Sequence, residues 1–154
     1  MSVFVVDASV VVKWFVPEIH SDAARRLLKL PHEYVAPDLL FAETANTIWK
    51  KIRRKELTVE DGRQLVADMG RIAVETVSCR ALAEDAHALA DATGRTVYDA
   101  MYVALAVRLN TRSITADGRL EAALKNMPAV ARHIQLIQTF EADVPEGEDA
   151  ERSE

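Results

Sequence analysis

The chain holds a single cysteine, Cys79, in 154 residues. One thiol excludes an internal disulfide and any zinc site built on clustered cysteines. Five glycines and five prolines are too few for a low-complexity chain. Long apolar runs are missing as well. The longest uncharged stretch of the second half, Ala100 to Val107, is eight residues, against about 20 needed to cross a bilayer. The N-terminus reaches Asp7 after four apolar residues with no basic lead, which is not a secretory pattern. The expectation is a soluble, cytoplasmic protein with no membrane partner. A content of 49% hydrophobic and 28% charged residues suits one globular domain with a sizeable core.

An excess of either charge is absent from most of the chain. The net charge is −5, but residues 141–154 hold seven acids and one Arg, a net of −6. Residues 1–140 therefore carry 18 Lys and Arg against 17 Asp and Glu, or +1. The acidity belongs to the end of the chain, where apolar residues are too scarce to offset the entropy of ordering. The expected organisation is a folded domain over 1–140 and a disordered acidic tail over 141–154. Global charge is then no argument against a nucleic-acid partner.

Val3-Phe-Val-Val6 is apolar and β-branched, as a buried parallel strand is. Further strands fit 34–36, 73–77, 113–115 and 134–137. Helices fit 8–16, stopped by Pro17; 21–30, with Ser21 as a cap; and 39–55, capped by Asp38. Others fit 58–69, opened by a Thr58/Asp61 capping box, and 79–93, ended by Gly94. A helix from Asp99 to about 109 stops at Asn110, and a short one spans 120–125. Strands alternate with helices throughout, which predicts a three-layer α/β/α domain around a mostly parallel sheet.

Ligands of such sheets bind beyond the carboxyl ends of the strands. Asp7 and Asp117 fall at strand ends, while Asp99 and Glu43 are expected in the first turns of helices. The helix after Asp99 is apolar on nearly every face, so it must be buried. An acid at its mouth needs compensation. Four acids at one edge would repel one another, and oxygen ligands suit Mg²⁺ or Mn²⁺ as the remedy. Taken singly, Asp99 is explained as a helix cap, Asp7 and Asp117 as turn residues, and Glu43 as a solvated acid. The combination is more telling than its members.

On the helix of Glu43, Asn46, Lys50 and Arg54 fall within about 60° of it, with Phe41, Ala45, Ile48 and Ile52 opposite. That stripe leads from an acid to cations suited to a phosphate backbone, or equally to a solvated helix end. Other chemistries lack their equipment: there is no GxGxxG, no phosphate loop and no nucleophile elbow. His20, His32, His87 and His133 have no ligand spacing and read as surface or capping residues. Trp14 and Trp49 read as core or interface.

The segments VVDASVVVKWF (5–15), PDLLFAETANTIWKK (37–51), TVYDAMYVALA (96–106) and TAD (115–117) resemble PIN-domain nucleases, and within them the VapC-like ribonuclease toxins of bacterial toxin–antitoxin pairs. The resemblance spans residues 1 to about 138. It implies that Asp7, Glu43, Asp99 and Asp117 are a catalytic acid cluster binding Mg²⁺, with Mn²⁺ able to substitute. Ser9 and Thr115 would stand beside that cluster with Asn46, and Lys50 and Arg54 are candidate RNA contacts. It further implies an RNA substrate, a VapB-like antitoxin that blocks the site, and a homodimer. Two other functions use the same residues: an inactive PIN-fold interaction module and a metal-dependent DNA nuclease.

Overall fold

The computed structural model describes residues 1–140; the tail expected over 141–154 lies outside the described residues. Five strands form one sheet: β1 (Val3–Val6), β2 (Glu33–Pro37), β3 (Val74–Val77), β4 (Ser113–Thr115) and β5 (Ile134–Leu136). Their order is β3-β2-β1-β4-β5 and every pairing is parallel, so "mostly parallel" becomes wholly parallel. β1 takes the centre because it can be buried on both faces: Phe4, Val5 and Val6 are all core. Val5 stands level with Val35 on one side and Ser113 on the other.

Helices flank the sheet: α1 (Ala8–Phe15), α2 (Ser21–Arg26), α3 (Leu39–Arg53), α4 (Val59–Met69), α5 (Cys79–Thr93), α6 (Val97–Arg108), α7 (Gly118–Leu124) and α8 (Pro128–Ala131). In α6 the whole run Ala100–Ala106 is buried, as its unbroken apolar sequence requires. Gly94 ends α5 with φ 72°, a left-handed cap that glycine adopts without cost. Gly62 lets α4 lie against α3, since a Cβ there would collide with the Ile52 side chain.

The chain order reverses at β1. The first three strands build outward on one side, and β4 and β5 build on the other. The crevice above β1 and β4 is the switch point where such sheets bind ligands. Both strand-end acids sit there.

Several local expectations need correcting. Ser21 does not cap α2; its hydroxyl donates to the Val16 carbonyl and accepts from Glu18 N, holding the α1–α2 turn. Asp38 occupies the N-cap position of α3 as expected, but its side chain makes no capping bond there; its Oδ1 accepts from Cys79 N at 3.0 Å, at the start of α5. Glu43 lies in the second turn of α3, because that helix begins at Leu39. Helix α8 went unread, its sequence being only a Pro and three small apolar residues. His133 is buried rather than surface, with Nδ1 2.7 Å from the Thr111 carbonyl. Trp14 is core, donating from Nε1 to the Ala24 carbonyl at 2.8 Å. Trp49 is 55% exposed and so is not core.

Candidate active site

Asp7 follows β1 directly and caps α1, where its Oδ1 accepts from Ser9 N at 3.1 Å. Its Oδ2 accepts from Thr115 Oγ1 at 2.8 Å. Thr115 is the last residue of β4 and fully buried. Its hydroxyl oxygen also accepts from Asp117 N at 3.0 Å. Ser9 Oγ completes the tie by accepting from Ala116 N at 3.0 Å. Two hydroxyls thus fix the ends of β1 and β4 relative to each other, while the Thr115 hydroxyl and the Ser9 N–H orient the Asp7 carboxylate. Asp117 Oδ1 in turn accepts from Arg119 N and Leu120 N as the cap of α7.

Asp99 stands in the first turn of α6, which Thr96 caps. Its Oδ2 accepts from Arg95 Nη2 at 3.2 Å, four residues back. Glu43 enters from α3, and its Oε1 is buried without a hydrogen-bond partner. Burial foremost, then the charges of Asp7 and Asp99, pushes the Glu43 pKa up to about 7. Nearby Tyr102 draws it partly back, although its own buried hydroxyl makes no hydrogen bond either. The Asp7 pKa is also raised. Burial is again the main cause, opposed by the bonds from Ser9 and Thr115 and reinforced by Asp99 and Asp117.

All four acids line one cavity of about 380 Å³, together with Ser9, Thr47, Lys13 and Glu18. A larger groove of about 480 Å³ lies elsewhere, among Leu89, Ala104, Val107 and Val130. It is apolar and offers no comparable chemistry, so we place the site at the acids. No group of three or more His, Cys, Asp or Glu side chains among the described residues stands ready as a metal site. Three of the four acids accept from donors of this chain: a backbone N–H and the Thr115 hydroxyl for Asp7, backbone N–H groups for Asp117, and a guanidinium for Asp99. The unpartnered Glu43 oxygen and the two raised pKa values are what a cation would relieve, and an all-oxygen donor set suits Mg²⁺ or Mn²⁺.

The basic stripe on α3 is placed differently from its expectation. Ile48 faces the core as expected and Ile52 packs beside it, but Leu40 and Thr44 are buried where Phe41 and Ala45 are only half-buried, so the helix is rotated partway from the face inferred from its sequence. Glu43 and Thr47 line the cavity, and Lys51 follows one turn on. Asn46, Lys50 and Arg54 are exposed and none lines the cavity. Sequence reasoning missed Lys13, Glu18, Thr47 and Arg95. The available signals were spacings of four: Ser9 to Lys13, Glu43 to Thr47 and Arg95 to Asp99.

The comparisons bear on the fold and the family. The family model described as PIN domain matches residues 4–125. A curated relative, Ribonuclease VapC3 of Pyrobaculum aerophilum, is 36% identical over 118 residues, 75% of this chain and 90% of its own. Among solved structures, PAE2754 from Pyrobaculum aerophilum superposes with TM-score 0.64 at 20% identity, covering 90% of this chain and 94% of that one. VapC20 of Mycobacterium tuberculosis, titled a sarcin-ricin loop cleaving toxin, gives 0.60 at 20% identity, covering 78% and 94%. VapBC2 from Rickettsia felis, bound to a DNA fragment from its promoter, gives 0.57 at 12% identity, covering 87% and 98%. At those identities the solved structures support the fold. The family model and the curated relative carry the assignment: this chain belongs to the PIN domain family.

Proposed function

We propose that the protein is a Mg²⁺-dependent endoribonuclease and the toxin of a VapBC-type pair. The observation that carries this reading is the crowding of Asp7, Glu43, Asp99 and Asp117 around one cavity at the switch point of the sheet. Support for RNA as substrate comes from the relative named a ribonuclease. Support for a VapB-like antitoxin comes from the Rickettsia felis complex.

Asp7 and Asp99 would be the primary ligands of the cation, with Glu43 and Asp117 completing the site. When bound, the cation supplies Lewis-acid chemistry: it acidifies a water for attack on phosphorus and offsets charge on the phosphoryl oxygens. Ser9 and Thr115 hold the Asp7 carboxylate in one orientation, which lowers the cost of assembling the site. Arg95 pins Asp99 and balances its charge. Glu43 Oε1 can take up or release a proton near neutral pH, because its pKa is about 7.

Cleavage of single-stranded RNA in Mg²⁺, abolished by a chelator and by Asp99→Asn, is the expected outcome. A folded parent that cleaves equally well in chelator would contradict the metal role. Cleavage of DNA but not RNA would favour the DNA nuclease, and a folded parent that takes up no Mg²⁺ would favour the interaction module. A homodimer of ~34 kDa, twice 17.1 kDa, is proposed from the family resemblance, with exposed Trp49 or the 58–69 helix at its interface. Light scattering tests it, and a monomer at high micromolar concentration would count against it.

A further inference from the structure

Beside the acids stands a small basic cluster to which nothing above gives a role. Lys13 is 7% exposed and lies four residues after Ser9 in α1. Lysine is seldom buried this far unless something pairs with it. Its Nζ donates to Glu18 Oε1 at 3.2 Å. Lys51 donates to the other oxygen of the same carboxylate, Glu18 Oε2, at 3.1 Å. One carboxylate is therefore shared between two ammonium groups. Lys51 has a second acid, Glu56, at 3.5 Å, whereas Lys13 pairs with Glu18 alone among the described residues. An ammonium has three donors, so Lys13 keeps two unused, and it lines the same cavity as the acids.

We propose that Lys13, with Lys51 held beside it through Glu18, is a subsite for a backbone phosphate of single-stranded RNA next to the scissile one. This rests on the ribonuclease reading above. Lys13 lies one turn, about 6 Å, along α1 from Ser9, and Lys51 lies two turns along α3 from Glu43. Both rows run from the acids to the lysines, and α1 packs on α3. A strand with its phosphate at the acids thus meets the two unused donors of Lys13 next. A polyanion approaching four carboxylates is repelled unless positive charge stands close by; beyond the divalent cation the acids would hold, Lys13 is the basic side chain that lines the same cavity. Glu18 sets the strength of the subsite. Burial pushes its pKa up, but the bonds from Lys51 and Lys13 outweigh this and hold it below the usual range. It remains an anion that competes with phosphate for both lysines.

The test is fluorescence anisotropy of a fluorescein-labelled RNA decanucleotide in chelator, from 50 to 200 mM KCl, with the full chain. Each phosphate contact on a single strand adds about 0.7 to the slope of log K against log salt. Lys13→Met should flatten that slope by about 0.7 and weaken binding about tenfold. Lys13→Arg should restore both, and Glu18→Gln should tighten binding several-fold by releasing the lysines. In Mg²⁺ turnover assays, Lys13→Met should raise KM more than it lowers kcat. Should Lys13→Met fail to fold, Glu18→Gln decides alone, because a purely structural ion pair would lose stability without tightening RNA. Unchanged slope and affinity in folded Lys13→Met would overturn the subsite and leave the ribonuclease reading intact. A parent that neither binds nor cleaves RNA would overturn that reading and the subsite together.

Discussion

Two glutamates line the same cavity and are treated in opposite ways. Glu43, at the acid end, has a buried oxygen with no partner and a pKa pushed up to about 7. Glu18, at the lysine end, is held by Lys51 and Lys13 and its pKa is lowered. The residue type is the same, and burial acts on both in the same direction. The neighbours decide the difference: Asp7 and Asp99 around one, two ammonium groups around the other. A fold seeking stability alone would pair both glutamates. This one leaves negative charge unbalanced at the end where a cation would act.

The largest effect belongs to the acid end. Asp7→Asn and Asp99→Asn keep shape but remove charge, so each should lower RNA cleavage at least about 100-fold, by several kcal/mol of transition-state stabilisation. Circular dichroism should show an unchanged fold. Full activity in either variant would remove the reason to treat this end differently from the other.

The glutamates should also differ in stability as pH changes. Glu43 has a folded pKa above its ordinary 4.5, so the unfolded chain releases its proton first. Its contribution should fall as pH rises from about 4.5 to 7 and then level off. After discounting for solvent screening the loss is about 1–2 kcal/mol. Glu43→Gln should therefore be more stable than the parent at pH 8 by about that amount, measured by urea unfolding. Glu18 has the reverse sign. Its contribution is present above its ordinary pKa and is lost as pH falls through its lowered folded value. Glu18→Gln should cost about 1 kcal/mol at neutral pH. Equal responses to the two substitutions would show that the neighbours of Glu43 and Glu18 do not set their difference.

The smallest effect concerns the nucleophile. Water attack does not use the substrate 2′-hydroxyl, whereas attack by that hydroxyl calls for a paired general base and acid. Neither His133, buried against the Thr111 carbonyl, nor any other histidine lines the cavity. A single 2′-deoxy nucleotide at the cut should slow cleavage only about 2- to 10-fold, for a lost contact of ~0.5–1.5 kcal/mol. The products should carry 5′-phosphate and 3′-hydroxyl ends. Complete blockage with 2′,3′-cyclic phosphate ends would contradict the role given to the acids.

Much of this layout was legible in the sequence, for reasons specific to each segment. Val3–Val6 followed by Asp7 reads as a buried strand ending in an acid because parallel strands are apolar on both faces. The helix from Asp99 onward reads as buried because no polar stripe interrupts it, and Thr58 and Gly94 cap where their chemistry says they should; the cap of that helix is Thr96 rather than Asp99. The rotation of α3 was not legible. Its apolar residues are spread widely enough to fit two faces, and packing against α1 and α4 selects Leu40, Thr44 and Ile48. Lys13 was missed because a lysine in VVVKWF looks like a break in an apolar helix. Only its partners in other segments, Glu18 and through it Lys51, give it a place.

Asp7, Glu43, Asp99 and Asp117 are together the proposed divalent-cation site. Titration calorimetry of Mn²⁺ into the chelator-treated protein at pH 7, in two buffers of different ionisation enthalpy, tests it most directly. Because Glu43 has a pKa of about 7, binding should release roughly half a proton per chain. Asp99→Asn should weaken binding, and Glu43→Gln should abolish the proton release. A folded parent that gives no binding heat, or binds Mn²⁺ equally well after Asp99→Asn, would contradict the account.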